Sequence, residues 1–230
     1  MIALHFSGGK DSLACLYLNR NRLGDILVMW LDTGKNFPCV LETIKRARAM
    51  CPNWETVHSD QDAVLREFGM PSDVVPVDST AGAQQFVQRR GLKVQNYLDC
   101  CSRSQWMPLW RASMARGVTE IIRGQRADEL HKAPVTDGQI VDGVKISLPV
   151  EKWSGAEVLR YLKQQMGELP EHLLLDHSSM DCSDCTAYWP ALRNRREFVR
   201  LNYPEMHAQQ EARMQTLRAE IGHYMETFPE

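Results

Sequence analysis

Ile2-Ala3-Leu4-His5-Phe6-Ser7-Gly8-Gly9-Lys10-Asp11-Ser12-Leu13-Ala14-Cys15-Leu16 is the stretch that decides how the rest of the chain is read. Ile2 to Phe6 has the length and apolar content of a short buried strand, and Leu13 to Asn19 reads as the first turns of a helix. Between them, Ser7 to Ser12 makes a loop whose backbone N–H groups carry little steric cover and point to one spot near a positive helix end. That spot suits a phosphate. Gly8 and Gly9 permit an approach that a Cβ would block, Lys10 adds a positive charge, and Ser7 and Ser12 can donate hydroxyls. A Walker A loop needs a longer spacer between its first glycine and Gly-Lys, so this is a phosphate loop of another kind. A bare Gly-Gly with a solvated lysine would be an ordinary turn; the whole run in a strand-loop-helix setting is not.

Working outward, Asp25 to Leu31 is a second strand-like run that ends at Asp32-Thr33-Gly34, and Val40 to Met50 reads as a helix. Thr56 to His58 and Val74 to Val77 read as further short strands, and Gly117 to Gly124 as a central strand bounded by glycines. Pro108 suits the first turn of a helix reaching Arg116, and Ile146 to Val150 suits an edge strand. Ser154 with Glu157 forms a capping box for a helix from Gly155 to Gln165, and a polar helix follows from Glu205 to about Thr227. Strands alternating with helices imply an α/β fold: a doubly wound, mostly parallel twisted sheet with helices on both faces. The expected organisation is a nucleotide-binding domain over 1–190 and a helical C-terminal extension over 191–230 packed on it.

Composition narrows the class. A chain of 230 residues with 43% hydrophobic residues is long enough for one sizeable core. Its 27 Lys and Arg against 29 Asp and Glu leave a formal net charge of -2, so no protein-wide basic field exists to attract nucleic acid. No apolar run approaches the roughly 18 residues of a membrane span, and no charged leader precedes the first strand, so a cytoplasmic, membrane-free protein is expected. Seven cysteines, without a secretory signal, argue for metal or redox roles where they cluster, at Cys100-Cys101 and Cys182-x-x-Cys185.

The Ser-Gly-Gly-x-Asp-Ser pattern resembles that of the PP-loop ATP pyrophosphatases and their relatives, the adenylyl-sulfate and phosphoadenylyl-sulfate reductases. Other segments are similar to the reductase branch: Asp32-Thr33-Gly34 followed by Phe37-Pro38, Gly124-Gln125-Arg126, and Leu148-Pro149 with Trp153, Glu157-Val158 and Tyr161-Leu162. The resemblance covers about residues 1 to 190. It implies an adenine nucleotide, ATP or a related one, held by Ser7, Gly8, Gly9, Lys10, Asp11, Ser12, Asp32, Thr33, Gly34, Phe37, Gly124 and Arg126. Lys10, Asp11 and Arg126 are the candidates for catalytic work, with Mg²⁺ sharing the phosphate charge. Arg123 and Lys132 flank Arg126 at the ligand-binding end of a central strand.

Four thiolates are the complement of a [4Fe-4S] cluster and also of structural zinc, and spacing alone separates neither from a set of buried inert thiols. The resemblance carries the Cys-Cys and Cys-x-x-Cys arrangement in cluster-containing adenylyl-sulfate reductases, so it implies a [4Fe-4S] cluster on Cys100, Cys101, Cys182 and Cys185. Four protein ligands would close such a cluster and make it structural or electrostatic first. Cys15 among Leu13 and Leu16 reads as a core thiol, Cys39 as a packing thiol near the nucleotide site, and His5 as a core or edge histidine.

Two departures bear on the reaction. The reductases carry a C-terminal cysteine that attacks the sulfate sulfur, whereas positions 186–230 hold no cysteine. Their Cys-Cys-x-x-Arg-Lys pattern carries two cations where this chain has Ser104 and Gln105. Both point away from sulfate reduction and leave nucleotide binding untouched; the lost thiol favours ATP cleavage between the α and β phosphates, adenylating an acceptor that then takes sulfur, with a divergent sulfonucleotide reductase and a non-enzymatic nucleotide-binding module as the alternatives. The partners to look for are a sulfur donor or thiol protein, a nucleic-acid acceptor and a second copy of the chain in a homodimer. Arg193, Arg195, Arg196 and Arg200, with Phe198 and Tyr203 beside them, are the basic run that would meet a nucleic-acid backbone; a solvated helix face is the plainer reading.

Overall fold

Ala3 and Leu4 are both fully buried although they point to opposite faces of their strand, which happens only when a sheet is covered on both sides. The computed structural model describes all residues except 88–90, 130–131, 176–179, 181 and 227–230. In chain order its elements are β1 (Ile2–His5), α1 (Lys10–Leu18), β2 (Ile26–Asp32), α2 (Pro38–Met50), β3 (Trp54–His58), α3 (Gln61–Phe68), β4 (Met70–Ser72), α4 (Ala81–Val87), β5 (Val94–Asn96), α5 (Tyr97–Cys101), α6 (Met107–Ala115), β6 (Glu120–Arg123), β7 (Ile140–Val141), β8 (Val144–Ser147), α7 (Gly155–Met166), α8 (Trp189–Asn202) and α9 (Pro204–Met225). Among the described residues, no helix is long and apolar enough to cross a membrane.

The chain divides into two compact units, the first made of Met1–Asp32, Asn36–His58 and Pro108–Asp181, the second of Thr33–Lys35, Ser59–Met107 and Cys182–Glu230. The first holds a six-stranded sheet in the order β3-β2-β1-β6-β8-β7. Its first five strands are parallel and β7 closes the edge as an antiparallel partner of β8. β1 lies between β2 and β6, with Ile2 opposite both Ile26 and Glu120. The chain leaves β1 in one direction through α1 and α2 and returns to its other side through α6, so right-handed crossovers put α1 and α2 on one face and α6 on the other. Ala3, Met29, Ile121 and Ile146 form the core on the α6 side, packed by Leu109, Trp110, Ala112 and Met114.

That arrangement creates a topological switch point between the carboxyl ends of β1 and β6, where open α/β sheets bind ligands. Ser7 to Ser12 and Gly124 to Arg126 leave the sheet at this point.

The second unit pairs β4 with β5 in parallel, and packs α3 against α5 and α8 against α9. Gly69 takes φ +94 before β4, and a Cβ there would lie 2.0 Å from the Lys93 carbonyl oxygen, so only glycine lets the two strands start together.

Three expected elements differ. Val74 to Val77 is not a strand: Ser72 Oγ accepts the Val74 N–H, Pro76 has no N–H to give a ladder, and a short 3₁₀ turn starts at Val77. Ile146 to Val150 is not an edge strand. β8 ends at Ser147 and sits between β6 and β7, because the hairpin through Gly143, at φ +80, adds the true edge. Helical turns also precede Pro108: α5 runs into a π turn over Ser102–Trp106, whose wider hydrogen-bond spacing accommodates a proline that cannot donate. The capping box is as expected, with Ser154 and Glu157 each taking the other's backbone N–H. Thr227, the expected end of the last helix, lies outside the described residues.

Candidate functional site

The loop after β1 is organised by its two serines. Ser12 Oγ donates to the Gly9 carbonyl at 3.0 Å and accepts the Ser7 N–H at 3.3 Å, while Ser7 Oγ accepts the Gly9 N–H at 3.3 Å. Gly8 sits at φ +81, and α2 packs so closely over it that a Cβ would meet Val40 Cγ1 at 3.0 Å. α1 starts at Lys10 with Gly9 as its N-cap, and no side chain caps it. Its first-turn amides therefore lack the usual side-chain acceptor and are available to an anion.

The segment after β6 is pressed against this loop. A Cβ on Gly124 would fall 2.3 Å from the Asp11 carbonyl carbon and 2.4 Å from the Ser12 nitrogen, so the two loops touch through backbone alone. Next to it, Arg126 is buried and its guanidinium is engaged twice: Nη1 donates to Asp11 Oδ1 at 2.6 Å and Nε to Asp128 Oδ1 at 2.8 Å. Burial draws this guanidinium down, and Asp128 and Asp11 more than reverse it, leaving it above its ordinary value. The Asp128 carboxyl is held below its usual range by its bond from Arg126. Arg126 thus fixes Asp11, whose other oxygen lies 3.3 Å from Lys10 Nζ. The expectation placed Arg126 on a phosphate; in this structure its guanidinium faces carboxylates.

Three residues here have roles that the sequence pattern did not assign. Glu129 Oε1 accepts the Arg126 N–H at 2.9 Å, and burial, then the Asp11 charge, push its carboxyl up. Gln125 pins the returning chain, with Nε2 donating to Ala133 O at 3.0 Å and Oε1 accepting the Ala133 N–H at 3.1 Å. Gly155 lies against the flat guanidinium, where a Cβ would make ordinary contact at 3.7 Å from Arg126 Cζ. Only the Gly-x-Arg spacing signalled this region: Asp11 comes from a distant part of the chain, and the nearby Asp128 and Glu129 form no pattern of their own. A cavity of about 170 Å³ lies behind Arg126, lined by Gln125, Lys132, Pro134, Val135 and Glu151. It is smaller than the roughly 300 Å³ at which small-molecule sites begin, so it is no nucleotide pocket. Lys132 Nζ donates to the Ala127 carbonyl at 2.5 Å, and Arg123 is half-buried beside His5 in the sheet. His5 is half-buried, its Nε2 2.8 Å from Ser113 Oγ, and desolvation, then Arg123, lower it to about 3.

Beyond β2, Asp32 accepts from Asn36 Nδ2 at 2.8 Å. In the second unit, Thr33 is buried with its Oγ1 taking the Lys35 N–H at 3.3 Å, and Gly34 turns the chain at φ +74. Phe37, expected beside the nucleotide, is fully buried as the N-cap of α2, which gives it a packing role in this structure. Cys39 is half-buried in the first turn of that helix. Cys15 is a core thiol, raised to about 12 by burial first and by Asp11 second.

Cys100, Cys101, Cys182 and Cys185 all belong to the second unit, on α5 and on the turn before α8. Gln105 Nε2 donates to Cys182 Sγ at 3.0 Å. Burial pushes the Cys100 thiol up to about 11, opposed by the Ser104 hydroxyl 3.9 Å away. Among the described residues, no group of three or more His, Cys, Asp and Glu side chains is arranged to hold a metal ion. The arrangement of Cys100, Cys101, Cys182 and Cys185 therefore gives the expected cluster no support.

Among the described residues, the basic run does not form a bare cationic face. Arg195 is buried, Arg196 Nη2 meets Glu211 Oε2 at 2.5 Å, and Arg200 bonds both oxygens of Glu197 at 2.9 and 2.6 Å. Phe198 is buried against Tyr203, and the Arg193 side chain lies outside the described residues.

Comparison with known proteins agrees with the fold. The family described as "Phosphoadenosine phosphosulfate reductase domain" matches residues 1–188. No curated protein matches the chain. Among solved structures, a phosphoadenylyl-sulfate (PAPS) reductase from Candida auris, in a phosphate complex, aligns with a TM-score of 0.54 at 17% identity over 79% of this chain and 80% of that one. NMN synthetase from Francisella tularensis aligns with a TM-score of 0.46 at 17% identity over 77% of this chain and 65% of that one. An NH3-dependent NAD synthetase from Campylobacter jejuni aligns with a TM-score of 0.43 at 18% identity over 100% of this chain and 87% of that one.

Proposed function

Because the chain belongs to the phosphoadenosine phosphosulfate reductase domain family, we propose that it is an enzyme of sulfur metabolism that binds ATP at the Ser7 to Ser12 loop and cleaves it between the α and β phosphates. The observation that carries this reading is the uncapped helix start at the switch point, with Gly124 packed against the loop backbone. An acceptor oxygen attacks the α phosphorus, the bond to the bridging oxygen breaks, and pyrophosphate leaves with the electron pair. Lys10 and the first-turn amides stabilise the charge that grows on the leaving group. Arg126 holds Asp11 in place through the 2.6 Å bond, so it acts as a positioning residue for the loop. Mg²⁺, bound through the nucleotide's phosphates and Asp11, would spread the same charge. A sulfur donor then forms a bond to the activated acceptor and displaces AMP.

The four cysteines are proposed to hold a [4Fe-4S] cluster whose role is structural or electrostatic. Its support is the donor set alone: four thiols in one unit, one already taking an N–H from Gln105.

A divergent sulfonucleotide reductase is the second reading, favoured by the likeness to a PAPS reductase and by a thiol, Cys39, in the first turn of α2. One assay separates the two. The α/β cleavage reading expects pyrophosphate from ATP with sulfur-accepting substrates; sulfite from adenylyl sulfate and thioredoxin, lost in Cys39→Ser and with no pyrophosphate from ATP, would overturn it.

A further inference from the structure

The walls of the cavity behind Arg126 are fastened to one another by the chain itself. Gln125 fixes one of them, its amide bonded at both ends to Ala133 and reaching the Val135 carbonyl at 3.4 Å. Glu151 joins two more: its carbonyl takes the Ala127 N–H at 2.8 Å, and its Oε1 takes the Asp137 N–H at 3.3 Å. Asp137 in turn accepts the Leu148 N–H at 2.7 Å, just past β8. All of these residues belong to the first unit. The volume of about 170 Å³ is several times the roughly 30 Å³ that one water takes up in the liquid, so a molecule of a few heavy atoms fits.

Charge selects that molecule. Lys132 and Glu151 both line the cavity, yet no ion pair joins them. Lys132 gives one N–H to the Ala127 carbonyl, and among the described residues no carboxylate meets its ammonium. Glu151 takes a backbone N–H, and no cation meets its carboxylate. Arg126 adds a third group to the lining. It is buried, its Nη1 and Nε are committed to Asp11 and Asp128, and its Nη2 has no acceptor among the described residues. Opposite charges that share one small cavity without meeting call for a ligand that carries both. An inorganic anion would suit Lys132 and Arg126 and be repelled by Glu151; a simple amine would do the reverse. A zwitterion answers both, and Pro134 and Val135 offer apolar surface to its carbon atoms.

We infer that this cavity binds a small amino acid, its carboxylate taken by Lys132 Nζ and Arg126 Nη2 and its ammonium by Glu151. The site is separate from the phosphate loop and needs no nucleotide. The two share one residue, because the guanidinium that receives the amino acid on Nη2 holds Asp11 through Nη1. A ligand in the cavity therefore touches the group that fixes the loop.

The test is calorimetric titration of the full chain with glycine, L-alanine, L-serine and L-cysteine, in wild type, Lys132→Gln, Glu151→Gln and Val135→Trp. Glu151→Gln keeps an acceptor for the Asp137 N–H and Lys132→Gln keeps an N–H donor, so each removes chiefly the charge. Saturable binding of at least one of these amino acids by wild type is expected, weakened about tenfold or more in each charge variant and lost in Val135→Trp, which fills the cavity. Acetate, sulfate and methylamine, which each lack one of the two charges, should bind wild type at least about tenfold more weakly than the best amino acid. Wild type that binds none of the amino acids overturns the inference. So does affinity that survives both charge variants, or acetate or sulfate bound as tightly as the best amino acid, which makes the cavity a plain anion site. Should a variant fail to fold, the wild-type comparison with acetate, sulfate and methylamine decides.

Discussion

The phosphate loop and the cysteine turn are both short segments that present reactive or binding atoms, and they are held in opposite ways. The loop is shaped by backbone: Gly8 in a left-handed conformation, Gly124 against the Asp11 and Ser12 main chain, and two serine hydroxyls folded inward. The cysteine turn is shaped by side chains reaching in from elsewhere: Gln105 to Cys182, Gln210 to Ser183, and Lys35 and Arg213 to Asp184. A backbone-built site tolerates almost no change in shape. A site built from side chains can be altered one contact at a time, and its properties tuned without loss of fold.

The difference predicts a graded series. Gly124→Ala puts a Cβ at 2.3 Å from backbone that cannot yield, so a loss of at least about 3 kcal/mol is expected, seen as insoluble protein or a collapsed melting temperature. A stable, well-expressed Gly124→Ala would contradict the close contact of the two loops. Arg126→Met removes one partner of a buried ion pair and leaves Asp11 with Lys10 alone; about 3 kcal/mol should be lost in chemical denaturation. On the other side of the comparison, Gln210→Ala should lower stability by only about 1 kcal/mol, with faster amide exchange confined to residues 182–186. Equal losses for Gln210→Ala and Gly124→Ala would remove the distinction between the two sites.

The smallest effect concerns pH. Glu129 is raised in the folded protein, so between the ordinary carboxylate value of about 4.3 and its folded value the folded state holds a proton the unfolded chain has released, and stability falls as pH rises. Glu129→Gln keeps the acceptor for the Arg126 N–H and should abolish that slope, modestly raising stability at neutral pH. Asp128 works in the other direction: its depressed carboxyl contributes stability above the unfolded value, lost as pH falls through the folded one. Melting temperature against pH in wild type and Glu129→Gln separates the two. A slope that survives the substitution would show that another group carries it.

Local patterns made much of this legible. The strand-loop-helix around Ser7 to Ser12, the glycine-bounded β6 and the Ser154 capping box each announce themselves within a few residues, because backbone propensity and short-range hydrogen bonds set them. Much of what escaped was set at long range. Gly124 reads as the end of a strand, and nothing near it says that its missing Cβ is required by Asp11. Arg126 reads as a cation for phosphate until Asp11 and Asp128 are seen on its guanidinium. Val74 to Val77 has strand-forming residues, yet Ser72 and Pro76 divert it. Arg195 and Arg196 look like a basic surface in the sequence, whereas one is buried and the other is paired across the α8–α9 hairpin.

The proposed chemistry requires nucleotide phosphates to be held by the loop at the end of β1. Calorimetric titration of ATP with Mg²⁺ into wild type and Lys10→Ala, both checked for equal melting temperature, tests it most directly. Saturable binding by wild type that weakens about tenfold or more in Lys10→Ala is predicted, the loss of one charged hydrogen bond of roughly 1.5–3 kcal/mol. Equal affinity in the two proteins, or no binding by wild type, would contradict it.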